Sequence, residues 1–390
     1  MVARRLIQTL AFLHYAAWSG ATVLTPPDIP EQPLLRSIYE WGDQIAVITE
    51  KYQLTQQMPT YELYVVEQAT SRVVPVRAPG CDTYHDVAYD AGPGRLLLCG
   101  TGQSARVYGM RGASWTPVSE SVQGTGFRFA VDGDRIAVMS GNTVFLMSAS
   151  SSGPPTSFPL RMKMPSRVLP SALLLGKDVL LMALDIGEFG GGLYRMDLKR
   201  PGNAPTRLID GNVEALARTK SGVIWAAGGL SHMGSVSAAL YRISGERLEV
   251  VATIAGFKGG PRFEGPPRAD KITEKAGVPF PGLTSLTGLS LGKEERPTVI
   301  LPELGVFELA GDRFVRLYEG TLSFSYQSNP TTGSWAGSGP VGLAIGKTGE
   351  IYVASRSLGI FVLRKEDNRN KLKQLLFHGP ADDNPIKPAR

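Results

Sequence analysis

VGLAIGKTGEIYVASRSLGIFVLR, residues 341–364, holds three strand-like runs separated by glycine-bearing turns. GLAIG (342–346) is apolar and ends in the tight turn Gly346-Lys347-Thr348-Gly349. IYVAS (351–355) follows as a nearly unbroken apolar run, the pattern of a strand covered on both faces. LGIFVLR (358–364) then places an aliphatic residue, an aromatic, any residue and an apolar residue in order. In a strand, the aromatic and the residue two places later share one side.

That last signature occurs seven times: YELYVVE (61–67), ARVYGMR (105–111), NTVFLMS (142–148), GGLYRMD (191–197), AALYRIS (238–244), LGVFELA (304–310) and LGIFVLR. Its aromatics are Tyr64, Tyr108, Phe145, Tyr194, Tyr241, Phe307 and Phe361, spaced by 44, 37, 49, 47, 66 and 54 residues. Upstream of each lies an apolar run: IAVIT (45–49), LLLCG (96–100), IAVMS (136–140), VLLMA (179–183), VIWAA (223–227), TVILP (298–302) and IYVAS. Before these come polar turns such as Asp132-Gly133-Asp134, and before the turns further strands at 37–41, 86–90, 128–132, 172–176, 214–218, 288–292 and 342–346. A fourth strand follows several signatures, at 73–78, 206–211, 248–254 and 314–320. Such four-stranded units cannot bury both faces alone, whereas radial stacking buries each against two neighbours and leaves only short outer edges. The expectation is an all-β, seven-bladed β-propeller of four-stranded antiparallel blades. A β-helix would need a shorter and stricter period, and a sandwich would not repeat its order of strand types seven times.

The stretches 213–243 and 341–364, with GVIWAAGG…ALYRIS (222–244) and GEIYVASRSLGIFVLR (349–364), resemble repeats of the two-component-regulator and NHL-type sensor propellers. The resemblance runs over about residues 36–379, and its motifs specify blades; they carry no functional residues to transfer.

The remaining organisation follows from composition. Arg4 and Arg5 precede a mostly apolar stretch over 6–18, and Ser19-Gly20-Ala21 supplies the small residues of a cleavage site. Residues 1–21 are therefore expected to be a signal peptide, 22–35 an extension, 36–379 the propeller and 380–390 a disordered tail. The protein is expected to be exported, to the periplasm or beyond the cell, with no transmembrane segment in the mature chain. The formal net charge of +6 falls to about +4 without Arg4 and Arg5. Both signs are dispersed, which argues against a nucleic-acid partner. Two cysteines, Cys81 and Cys99, exclude a Cys-rich zinc site. They fall in one blade, near one face, within reach of a disulfide.

In propellers the loops between second and third strands share a face with the blade connectors. That face carries the long segments 50–60, 185–190, 230–237, 257–284 and 321–339, and is the expected functional face. The 257–284 connector contains Arg262 and Arg268, suited to gripping an anionic group. The 321–339 connector contains Tyr326 and Trp335 among small polar residues, suited to glycan or peptide. His232 maps to the same face, and with these four forms the candidate ligand-binding set. His85, Asp86, Glu303 and Arg356 are the first suspects should the channel mouth be catalytic. Asp185, Glu188 and Glu303 follow second strands and could offer oxygens to a calcium cofactor. The expectation is a recognition module for a small polar ligand, glycan or protein. The alternative is a propeller enzyme (a lyase, hydrolase or quinone-dependent dehydrogenase) with its site at the central channel, and a third possibility is an assembly scaffold.

Overall fold

The computed structural model describes residues 33–51, 60–150, 153–162, 168–187, 190–232, 235–245, 247–253, 272–279, 286–292, 294–302, 304–319, 327–328, 335–336, 340–356, 359–366, 369–375 and 377. They form seven consecutive antiparallel blades, and in each the four strands pair in sequence order. Blade 1 runs through Leu34–Trp41, Gln44–Lys51, Thr60–Glu67 and Arg72–Pro75. Blade 7 runs through Pro340–Ile345, Ile351–Ser355, Gly359–Glu366 and Arg369–Leu375. The first strands of successive blades touch one another around the ring, including blade 7 against blade 1, so they line the central channel.

The seven-fold signature has a simple packing meaning. Seven hydrophobic clusters lie between blades among the described residues, one per interface. The aliphatic residue before each aromatic (Leu63, Val107, Val144, Leu193, Leu240, Val306, Ile360) packs in the cluster shared with the following blade. The aromatic itself points the other way. Tyr64, Tyr108, Phe145, Tyr194, Tyr241 and Phe307 all join the cluster shared with the preceding blade. Adjacent strand residues face opposite sides, so in blades 1 to 6 a two-residue motif joins the blade to both neighbours.

Among the described residues no strand is shared between the first and last blades, though Phe377 makes an isolated parallel bridge to Val73 in the outer strand of blade 1. Blades 1 and 7 meet in a cluster built from Leu35, Ile38, Val47 and Tyr64 against Ala344, Tyr352, Ile360 and Leu375. The Leu35 N–H donates to the Arg356 carbonyl at 2.7 Å, the Arg356 guanidinium pairs with Glu50 at 3.0 Å, and Phe377 stands edge-on to Tyr64 at 4.9 Å. Gly228, in the GVIWAAGG segment, is required for close approach: a Cβ there would sit 1.9 Å from the Asn212 carbonyl oxygen on the connector entering blade 5.

Three details differ from the expectation. The 257–284 connector, read as structureless, contributes Ile272–Pro279 as a fifth strand running parallel to Arg247–Thr253 on the edge of blade 5. The 321–339 connector holds the strand pair Gln327–Ser328 and Trp335–Ala336. Blade 2 gains Val122–Gln123, which pairs with Ser104 and Ala105 of its third strand. In each case unpaired backbone on a sheet edge or in a long loop finds hydrogen-bond partners that composition does not advertise.

Candidate ligand site at the channel mouth

The loop-rich face is set by register. In blade 1 Leu34 opposes Glu50, and Glu50 opposes Tyr61, so the start of the first strand lies level with the second-to-third connection. Just inside this face four inner strands slip register by one residue: between Leu35 and Ser37, Tyr84 and Asp86, Thr287 and Leu289, and Pro340 and Gly342. The extra residues are Arg36, His85, Gly288 and Val341, at equivalent positions of blades 1, 2, 6 and 7. A bulge of this kind re-aims a side chain out of the alternating pattern. Blades 1 and 2 use it to bring an arginine and a histidine to the same mouth.

Around them a polar cluster spans blades 1 to 3. The Arg36 guanidinium carbon lies 4.1 Å above the Tyr61 ring centroid, a cation–π contact. The Tyr61 backbone N–H donates to the Thr83 hydroxyl at 3.0 Å, joining blades 1 and 2. The His85 ring is 6.3 Å from Tyr61 and 4.8 Å from Phe127. His85 is only 6% exposed, and its Nε2 has no protein hydrogen-bond partner. Arg128, which opens blade 3, donates from Nε to the Pro170 carbonyl at 3.1 Å and from Nη1 to the His85 carbonyl at 3.3 Å. The buried Asp86 accepts the Val87 N–H on one oxygen and the Phe129 N–H on the other, each at 3.1 Å. Its two oxygens thus hold blade 2 against blade 3.

The electrostatics follow from this crowding. Burial, with the charges of Arg36 and Arg128 adding to it, pushes the His85 imidazole down to about 3. It is therefore neutral at physiological pH. Burial first, and then the neighbouring Asp86 carboxylate, push the Tyr39 phenol up to about 12. Burial and the like charge of Arg128 lower Arg36. Burial also opposes the Arg128 charge, but Tyr39, Asp86 and Tyr61 more than offset it and hold that guanidinium above its usual range.

Carboxyls occupy the arc of blades 4 to 6. Glu214, entering blade 5, is hydrogen-bonded to Thr287 and Gly288 of blade 6, yet burial and the Asp185 charge push it up to about 8. Asp185 ends the second strand of blade 4 and accepts the Gly187 N–H at 2.9 Å; desolvation raises it too. At the opposite end of the channel Glu40 accepts from the Ser290 hydroxyl and, at 3.1 Å, from the Ile345 N–H, tying blades 1, 6 and 7 together.

The residues singled out from sequence fare unequally. His85 and Asp86 lie at the mouth together, while Arg356 is across the blade 7 seam in its pair with Glu50. His232 closes a tight hairpin opposite Ser235, and Trp335 opposes Ser328. Arg262, Arg268, Tyr326, Glu188 and Glu303 lie outside the described residues. Among the described residues no three metal-ligating side chains converge. A disulfide joins Cys81 to Cys99 with 5.5 Å between Cα atoms, tying the blade 1–2 connector to the second strand of blade 2. Arg36, Tyr39, Tyr61, Arg128 and Glu214 were not singled out from sequence. The available signal was a polar or charged residue just before or at the start of several inner apolar runs: Arg36, His85, Arg128, Glu214.

No protein-family model and no curated protein matches the chain. Solved structures do. The extracellular domain of a hybrid two-component system from B. thetaiotaomicron aligns over 90% of this chain at 12% identity and a TM-score of 0.51, and the match covers 42% of that protein. The β-propeller domain of the Trilobed protease from Pyrococcus furiosus, described as having an open velcro topology, aligns over 94% of this chain and all of that domain, at 9% identity and a TM-score of 0.50. At such identities the likeness is one of fold, and the fold is a seven-bladed propeller. Among the described residues no helix is long and apolar enough to cross a membrane.

Proposed function

We propose that this is an exported recognition propeller that binds a small polar ligand at the loop-rich mouth of its channel, with Arg36, Tyr39, Tyr61, His85 and Arg128 as the contact set. The observation that carries this is convergence: polar side chains from three blades meet at one mouth, and one of them, His85, is buried with its Nε2 lacking a protein hydrogen-bond partner. Buried polar atoms are ordinarily satisfied, so an orphaned imidazole nitrogen among these groups supports a ligand here. The fold likeness to an extracellular domain of a hybrid two-component system and the signal-like N-terminus support export. Arg262, Arg268, Tyr326, Trp335 and His232 would extend the same face outward toward a glycan or protein.

One observation favours catalysis instead. Glu214 is a carboxyl raised into the neutral range at the same mouth, as a general acid would be. His85, held neutral, and Asp86, with both oxygens on backbone amides, do not form an acid–base pair with each other. The recognition reading is tested with Tyr61→Ala, which removes the platform under Arg36 and leaves the interblade hydrogen bond of its backbone. A panel of sugars, amino acids and organic acids is screened by thermal stabilisation of the wild-type chain, and the best hit is titrated into both proteins. The expected result is affinity weakened by about tenfold or more, with the ring folded. Equal affinity in a folded variant would refute this placement of the site.

A further inference from the structure

The mouth carries an unbalanced charge. Arg36 and Arg128 bring two guanidiniums to the cluster, and Asp86 is the carboxylate among them. His85 adds none at neutral pH. Glu50 is already matched by Arg356, and Asp185 and Glu214 belong to the other arc. Among the described residues one positive charge is therefore left over in a half-buried place. It resides on Arg36, which lies over the Tyr61 ring face and has no carboxylate partner among the described residues. Tyr61 orients the guanidinium without neutralising it. Arg128 spends an Nε and an Nη1 donor on backbone carbonyls and retains the rest of its fork.

We infer that the ligand of this mouth presents a carboxylate, which is received between the Arg36 and Arg128 guanidiniums. The inference rests on the mouth being the ligand site and adds the chemistry of the group recognised there. A planar carboxylate matches the guanidinium fork, and a single negative charge brings the cluster to neutrality. A phosphate or sulfate dianion overshoots that balance beside the fixed Asp86 carboxylate. The aromatic ring of Tyr61 and the phenol of Tyr39 flank the position and suit the apolar or hydroxylated remainder of a small organic acid.

The test uses the full chain labelled with 15N, following the arginine side-chain Nε–H signals. Acetate is the probe, titrated against chloride at constant ionic strength, with sulfate and phosphate in parallel. The Arg36→Met variant keeps the apolar length and removes the charge; because Arg36 makes no interblade hydrogen bond among the described residues, it is expected to fold. Acetate should shift the Arg36 and Arg128 signals saturably, and Arg36→Met should weaken the Arg128 response on the order of tenfold. Stronger binding of sulfate or phosphate than acetate would overturn the carboxylate assignment. So would an Arg128 response unchanged in Arg36→Met. If acetate produces no saturable shift while a neutral sugar or amide binds in a Tyr61-dependent way, the mouth is a ligand site of another chemistry and the inference alone falls. If neither charged nor neutral probes bind, both it and the proposed site fall.

Discussion

Lowering the pH should destabilise this protein through one histidine. The His85 imidazole has a pKa of about 3 in the folded ring against 6.5 for the ordinary side chain. Below pH 6.5 the unfolded chain binds a proton there that the folded chain refuses, so stability falls as pH falls and the loss is complete near pH 3. The slope in that window is about 1.4 kcal/mol per pH unit. His85 is 6% exposed, so solvent screening takes little from this figure. From pH 6.5 to 4 the loss is on the order of 3 kcal/mol. For a chain of 390 residues the unfolding entropy scales to about 0.8 kcal/mol per kelvin, so this is a fall of about 4 °C in Tm. Other groups titrate over the same range, and the comparison with His85→Gln isolates this one. The wild type should lose about 4 °C more than the variant between pH 6.5 and 4 in parallel calorimetric scans. The NMR titration of the His85 ring should show no protonation above about pH 5. Parallel Tm profiles for the two proteins, or a titration midpoint near 6.5, would refute the claim that burial beside Arg36 and Arg128 holds this ring neutral.

Asp86→Ala orphans the N–H groups of Val87 and Phe129 and removes the counter-charge of two arginines. The expected cost is about 2–5 kcal/mol, seen as a Tm lowered by roughly 3–6 °C, and a change under 1 °C would show that blades 2 and 3 are not held there. The Cys81–Cys99 bridge spans 18 residues, for which loop closure gives about 3 kcal/mol. The Cys81→Ala, Cys99→Ala double variant, or the wild type scanned in reductant, should melt about 4 °C lower, and an unaltered Tm would contradict a stabilising role.

The mouth also bears on how such a ring can be both rigid and receptive. Arg128 and Asp86 are committed to holding blades 2, 3 and 4 in place, through two backbone carbonyls and two backbone amides. Arg36 and the His85 ring pack on Tyr61 and Phe127. In the proposed site a ligand contacting Arg36 and His85 would leave these interblade bonds intact, as preorganised binding requires.

Much of the fold was legible in the chain because its determinant is local and repeated. Leu63-Tyr64 and Ile360-Phe361 point to opposite sides of a strand by the pleat alone. Seven such pairs define seven units, each needing two neighbours. The inner, second, third and fourth strands could be placed for the same reason, since each is an apolar run bounded by turn residues. The site was legible only where its residues stood out by type, as His85 and Asp86 do. Arg36 and Arg128 read as ordinary charges beside apolar runs. What brings them together is a register slip at Leu35–Ser37 and Tyr84–Asp86, and a slip of one residue leaves no mark in a hydrophobic pattern. The excess positive charge at the mouth is likewise a property of three blades meeting, because composition counts Arg36, Asp86 and Arg128 without regard to distance. The sequence alone determined the ring, since burial of alternating faces is a near-neighbour matter; the mouth was decided by tertiary structure, because bulges and the curvature of seven stacked blades set which distant side chains share one electrostatic environment.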